Sequence, residues 1–181
     1  MVGAAIALVI GAVLVTMMLT GGKLWSSSEA SVEAQEEARR ALTNMSRELR
    51  EAGPGSVTSG ANQLNFDVIL GFNMPGCGSP LGTGVCRGAR DSAGNPQPGW
   101  SVRYTYQVSP ANRLVRQVLN AASAPQITQV LATRVTGATF TPSGSPVNVV
   151  TVTLTTQAQE SGGVQHRVLN ATTRISLRNA P

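Results

Sequence analysis

The chain has 181 residues, of which 41% are hydrophobic and 13% charged, and its net charge is +5. This length allows one domain with its own core, or a long helix with a smaller head. One histidine and two cysteines cannot complete a zinc site, and three scattered carboxylates beyond residue 53 are too few for a calcium cage or a catalytic pair. We therefore expect no enzyme, no catalytic residue, no metal and no cofactor.

A lone histidine leaves one catalytic alternative open. His166 could join Asp67 or Asp91 in a Ser-His-Asp arrangement. A single histidine in an alternating strand is more often a surface or rim residue, so this reading is the weaker one.

Residues 1–22 contain no charged side chain, and Lys23 is the first. As a helix this run would extend about 33 Å, close to the roughly 30 Å hydrocarbon core of a bilayer. A cleaved signal peptide would open with basic residues and would hold a shorter apolar stretch. We predict that residues 1–22 are a retained apolar helix, lying in a membrane or in a filament core.

Residues 23–53 continue that helix in amphipathic form. Ala38, Leu42, Met45 and Leu49 recur at helical spacing and line one face. The sequence Gly53-Pro54-Gly55 should end the helix, because proline cannot extend its hydrogen bonding.

Residues 54–181 change to the alternating pattern of β-strands. We predict a β-rich head with one antiparallel sheet and an α+β fold, in which the long N-terminal helix packs on that sheet. The predicted strands are residues 63–70, 100–108, 113–119, 135–141, 147–157 and 164–177, with residues 100–119 forming a hairpin. Residues 71–99 are rich in glycine and proline and are predicted to be one long loop.

The two cysteines, Cys77 and Cys86, lie in this loop. Neither a metal site nor a catalytic thiol has the partners that it needs, so a disulfide is the best assignment. Disulfides persist in oxidising compartments, which places the head outside the cytoplasm.

Charge is unevenly divided along the chain. Residues 1–52 have a net charge of −1, whereas residues 53–181 have a net charge of +6 that comes from arginine. Some of these arginines lie among aromatic residues, a combination that can bind nucleic acid. The candidate DNA contacts are Arg87, Arg90, Arg103, Arg113 and Arg116. A solvated basic face, with the aromatic rings in the core, is the alternative that we favour.

The opening MVGAAIALVIGAVLVTMMLTGG, followed by a charged helix that ends in SRELREAG, resembles the type IV pilins and the pseudopilins of type II secretion. The strands VRYTY, NRLVRQ and TTRISLRN strengthen the likeness to W-type minor pilins and J-type minor pseudopilins. The likeness covers most of the chain, and its helical part is the specific one. In that family a Glu at the fifth position of the mature, N-methylated chain is usual. Here residue 5 is Ala5, and we expect that about six residues and a leader precede this sequence. The alternative is that Met1 is the mature end of a subunit that lacks this Glu, a trait that the family associates with the filament tip.

The resemblance implies a structural subunit of a type IV pilus or of a type II secretion pseudopilus. It favours a minor subunit; the alternatives are a DNA-binding minor pilin for DNA uptake and a major pilin. Its partners would be other pilin subunits in a homo- or hetero-oligomeric helical filament. It would lie in the bacterial inner membrane before assembly, then in a periplasmic pseudopilus or an extracellular pilus. The residues expected to pack or anchor the helix are Val2, Ile6, Leu8, Val9, Ile10, Val13, Leu14 and Val15.

Overall fold

A computed structural model describes residues 2–53, 55–74, 76–77, 84–108, 112–158 and 167–177. Within its helix and strands, the side chains of residues 2, 4–9, 23–24, 26–28 and 167 are outside this description. The elements are α1 (Val2–Arg50), β1 (Thr58–Gly60), β2 (Gln63–Phe66), β3 (Val68–Phe72), β4 (Val85–Arg90), β5 (Pro96–Pro98), β6 (Ser101–Gln107), β7 (Arg113–Leu119), β8 (Pro125–Thr133), β9 (Val135–Ser143), β10 (Val149–Ala158) and β11 (Arg167–Ser176).

The described strands form three sheets, and every pairing between them is antiparallel. One sheet has five strands in the order β1-β2-β6-β7-β8. A second has the order β11-β10-β9, and a third the order β3-β4-β5. One hydrophobic core joins α1 to all three sheets, with Met45 from the helix, Tyr104 and Leu114 from the first sheet, Leu154 from the second and Ala89 from the third.

The predicted fold class, an α+β fold with a long apolar helix packed on one antiparallel sheet, is wrong. The described chain is mostly antiparallel β-structure in three sheets, not an apolar helix on one sheet. The predicted strand 63–70 breaks at Asp67, so that β2 and β3 belong to different sheets. The predicted loop 71–99 contains β4 and β5, which turn this region into part of the third sheet.

A second correction concerns the predicted location in the inner membrane. Within the part of the chain that the structure describes, no helix is long and apolar enough to cross a membrane. This finding contradicts the predicted anchoring in the inner membrane.

Several strand predictions are confirmed. The hairpin is formed by β6 and β7, with Tyr104 opposite Arg116 and Tyr106 opposite Leu114. The strands β9, β10 and β11 cover the runs predicted near residues 135–141, 147–157 and 164–177, although residues 164–166 lie outside the description. The strand β8 was missed entirely.

The helical stripe is buried as its spacing predicts. Met45 and Leu49 have no exposed surface, and Ala38 and Leu42 are at most 9% exposed. Beyond Arg50, the chain is joined directly to the junction of β2 and β3: the Gly53 amide donates to the Asp67 carbonyl at 2.9 Å, and the Ile69 amide to the Glu51 carbonyl at 3.0 Å. The start of the head is therefore fixed to the end of the helix.

Candidate assembly surface

Residues 10–19 of α1 form an apolar surface that the head does not cover; we call it the free segment. Its large side chains are exposed to between 48% at Val13 and 81% at Met18. The predicted packing residues Ile10, Leu14 and Val15 are 55–57% exposed. Such a surface is unfavourable in water, since burying one large aliphatic side chain contributes about 1.5–3 kcal/mol. The side chains of Val2, Ile6, Leu8 and Val9 lie outside the described set.

The polar groups of the free segment are satisfied within the helix. The Thr16 hydroxyl donates to the Ala12 carbonyl at 2.7 Å, and the Thr20 hydroxyl beyond it donates to the Thr16 carbonyl at 2.8 Å. Hydroxyls bonded in this way do not require water. A methyl group added at Gly11 would meet no atom within 4 Å, so this side of the helix is open to close approach by another helix. The free segment can therefore be buried without leaving an unpaired side-chain group.

The second half of α1 is fixed to the head by a small polar cluster within the core. The Arg116 guanidinium donates through Nε to both carboxylate oxygens of Glu48 at 2.9 Å and also through a terminal nitrogen. The Tyr104 hydroxyl donates to the same carboxylate. The Arg116 and Glu48 side chains are only 18% and 25% exposed, so this pair is well shielded from water.

Electrostatics within the cluster fix its protonation. Burial raises the pKa of Tyr104 well above its usual value, and the Glu48 carboxylate raises it further. Burial tends to lower the pKa of Arg116, but its hydrogen bonds to Glu48 outweigh that and raise it. At neutral pH the tyrosine therefore remains a donor and the arginine a cation, which is the arrangement that Glu48 requires.

Two further glutamates of α1 hold the corner between β8 and β9. Glu37 accepts hydrogen bonds from the Thr133 amide at 3.1 Å and from its hydroxyl at 3.0 Å. Glu33 pairs with Arg134 at 3.0 Å, where the arginine adopts a left-handed φ of 57°. The carboxylates of the helix thus bind the basic head of the same chain.

The five arginines proposed as DNA contacts are not brought together. Arg116 points to the helix side of β7 and is bound to Glu48. On the other face of the same sheet, Arg103 donates to Asn65 at 2.7 Å and Arg113 to Gln107 at 3.0 Å. Arg87 and Arg90 are exposed on β4, which belongs to a different sheet.

Cys77 and Cys86 lie at disulfide distance, with their Cα atoms 5.4 Å apart, in agreement with the predicted bridge. Cys86 is fully buried in β4, and the bridge connects this strand to the preceding turn. Among the described residues, no group of three His, Cys, Asp or Glu side chains could hold a metal ion. His166 lies outside the described ranges.

Sequence reasoning missed Glu48 and the role of Arg116. The signal was incomplete, because the predicted hairpin had no register, and it is the observed register that places Arg116 opposite Tyr104 on the core-facing side of the strands. A cation in that position requires a buried carboxylate, and helix residues beside Met45 and Leu49 are the ones that could supply it.

Comparisons with protein-family models, with curated proteins and with solved structures found no match to this chain.

Proposed function

We propose that this chain is a structural subunit of a helical filament, of the type IV pilus or type II secretion pseudopilus kind, and that it assembles through the free segment of α1. A minor subunit is favoured, because the sequence likeness is to minor pilins and pseudopilins. The observation that carries the proposal is the continuous exposed apolar surface of residues 10–19 on a helix whose second half is bound to the head.

The difference in burial between the two halves of α1 supports this function. Among the side chains of α1 that the structure describes, those buried against the head begin at Ser31, which is 6% exposed. Residue 10 is 21 residues earlier, which corresponds to about 32 Å of helix. A head that covers only the second half leaves the first half to be covered by something else. The same segment of neighbouring subunits fits, because it is equally apolar and equally free of unsatisfied polar side chains.

The symmetry of such contacts leads to a filament. The head and the free segment are different surfaces at different positions of one chain. Contacts in which each subunit packs its helix beside that of the next are head-to-tail, and a displacement along the axis prevents them from closing into a ring. They generate an open helical array instead of a dimer.

Cross-linking of the full chain tests the proposal. The chain is purified in a mild detergent, which is then removed, and single cysteines are introduced at Val15 in the free segment or at Asn44 in the second half of the helix. Both positions are exposed, and the natural cysteines are paired. On oxidation we expect Val15→Cys to give covalent dimers within ordered filaments or oligomers, and Asn44→Cys to remain monomeric.

A charge substitution in the free segment provides a second test of the proposal. Leu14→Asp should disperse the assemblies, because a buried carboxylate without a partner costs several kcal/mol. Asn44→Asp should leave them intact. The proposal is refuted if the wild-type chain stays monomeric without detergent, or forms only amorphous aggregates in electron micrographs that Leu14→Asp does not alter.

A further inference from the structure

A second surface lies beside the core-facing half of α1, where the helix runs past the outer edge of β11. The groove between them, which we call the edge groove, has a cavity volume of about 430 Å³. Its helical wall is Gln35, Ala38, Arg39, Leu42, Thr43 and Ser46, and its other wall is residues 169–173 with Thr156.

The strand wall identifies the groove as an open sheet edge. Successive residues of a strand point to opposite faces, so a site on one face is lined by alternate residues only. Five consecutive residues, 169–173, line the edge groove, which therefore runs along the side of the strand. On its other side β11 is paired with β10 along its whole length, and β11 is the last strand of its sheet. No described residue hydrogen-bonds to its outer backbone groups.

An open edge of this kind binds extended polypeptide. Unpaired backbone amides and carbonyls are satisfied by another strand, and neighbouring side chains then select its sequence. Five residues of strand correspond to about 17 Å. The side chains of Leu169, Ala171 and Thr173 are half-buried and line the edge groove together with Leu42, a largely apolar wall that suits small or β-branched side chains of a partner strand.

The positive charge of Arg39 in the edge groove favours a partner that carries a carboxylate. Arg39 is the one charged residue that lines the edge groove, and among the described residues it makes no ion pair. The adjacent Arg40, by contrast, is bound to Glu36 at 2.8 Å. None of the eleven described strands of this chain contains aspartate or glutamate. None of these described strands, offered by a second copy, would therefore bring a carboxylate to Arg39.

We propose that the edge groove binds an extended, acidic segment of a different polypeptide, which adds as a fourth strand beside β11 and pairs a carboxylate with Arg39. This interaction surface is separate from the free segment, so a partner can bind it whether or not the helix is assembled.

A peptide titration on the full chain in detergent tests the proposal. The probe is an acetylated, amidated octapeptide of alternating threonine and valine with one central aspartate. We expect it to bind and to slow amide hydrogen exchange across residues 169–173. Methylation of alternate peptide nitrogens, on the side that faces β11, should abolish binding, because main-chain hydrogen bonds form the contact.

Charge variants supply the controls. Arg39→Glu should weaken binding of the aspartate peptide roughly fivefold or more, and should improve binding of the same peptide with lysine in place of aspartate. Arg47→Glu makes the same change in net charge at an exposed helix position outside the edge groove and should alter neither affinity. The proposal is overturned if the N-methylated peptide binds equally well, if the two glutamate variants behave alike, or if exchange slows only when copies of this chain associate.

Discussion

The cluster of Glu48, Tyr104 and Arg116 makes a quantitative prediction about how the helix is held to the head. Removing one partner of a buried ion pair typically costs about 3–5 kcal/mol, because the other charge is left uncompensated. Arg116 and Glu48 retain 18% and 25% side-chain exposure, so water relieves part of this cost. We therefore expect Glu48→Ala to lower the free energy of unfolding by about 2–3 kcal/mol, which corresponds to roughly 5–10 °C in Tm for a chain of this size.

A double-mutant cycle isolates the pair from other effects of truncation. Glu48→Ala, Arg116→Ala and the double variant are unfolded in urea, with detergent held constant, and the coupling energy is obtained from the three differences. The exposed pair of Glu36 and Arg40 is the matched control, with side chains 59% and 76% exposed and an expected coupling of about 0.3–0.5 kcal/mol. The reasoning fails if the Glu48–Arg116 coupling does not exceed that of the control pair.

Three further predictions concern the core, a buried carboxyl and the disulfide. Met45→Ala should lower the free energy of unfolding in urea by about 2–5 kcal/mol, because it leaves a cavity at a fully buried position. The control Asn44→Ala, on the exposed face of the helix, should lower it by less than about 1 kcal/mol. Equal effects of the two substitutions would contradict the packing described. Burial raises the pKa of Asp67 above 3.8, although the positive charge of Arg87 acts in the opposite direction, so the folded state binds this proton more tightly and the chain loses stability as pH rises. In thermal melting, Asp67→Asn should be more stable than the wild-type chain at pH 7, and the difference in stability should shrink as pH falls below about 4. A difference that does not change with pH would argue against a raised pKa. Replacing both Cys77 and Cys86 with serine should lower the free energy of unfolding by about 2–3 kcal/mol, as expected for a disulfide between residues nine positions apart. Under reducing conditions the wild-type chain and the double variant should have the same Tm. A difference in Tm that persists under reducing conditions would indicate that the substitutions act through lost packing.

The hairpin and the helical stripe could be predicted because each has one buried and one exposed face. Val102 and Tyr104 alternate with more exposed neighbours in β6, and Met45 and Leu49 recur at helical spacing. In both cases the period of the pattern matches the period of the element, so burial can be read from residue type.

The division into three sheets could not be predicted in the same way. Leu64, Phe66 and Val68 alternate without interruption and are all buried, yet Val68 belongs to a different sheet from the other two. The alternation continues through the break because both segments face one core. The break at Asp67 therefore does not change the alternating pattern of apolar residues. Similarly, β8 was missed because it is exposed along most of its length and lacks a buried face that would generate alternation.

The free segment was recognisable from the sequence because it is a run of uncharged residues. The edge groove was not, because it is made from two segments about 130 residues apart whose side chains are ordinary in their own elements. Only the packing of α1 beside the last strand of a sheet creates it.

The way in which the helix enters the head has a mechanical consequence. Tension on the N-terminal end of α1 reaches the head through several attachments that act side by side: the pair of Glu48 and Arg116, the apolar stripe around Met45, and the backbone bonds that join Gly53 and Ile69 across the helix exit. Attachments loaded together share the force, so no single one has to bear all of it. A chain built in this way transmits a force on its helix to all three sheets at once, instead of unfolding strand by strand.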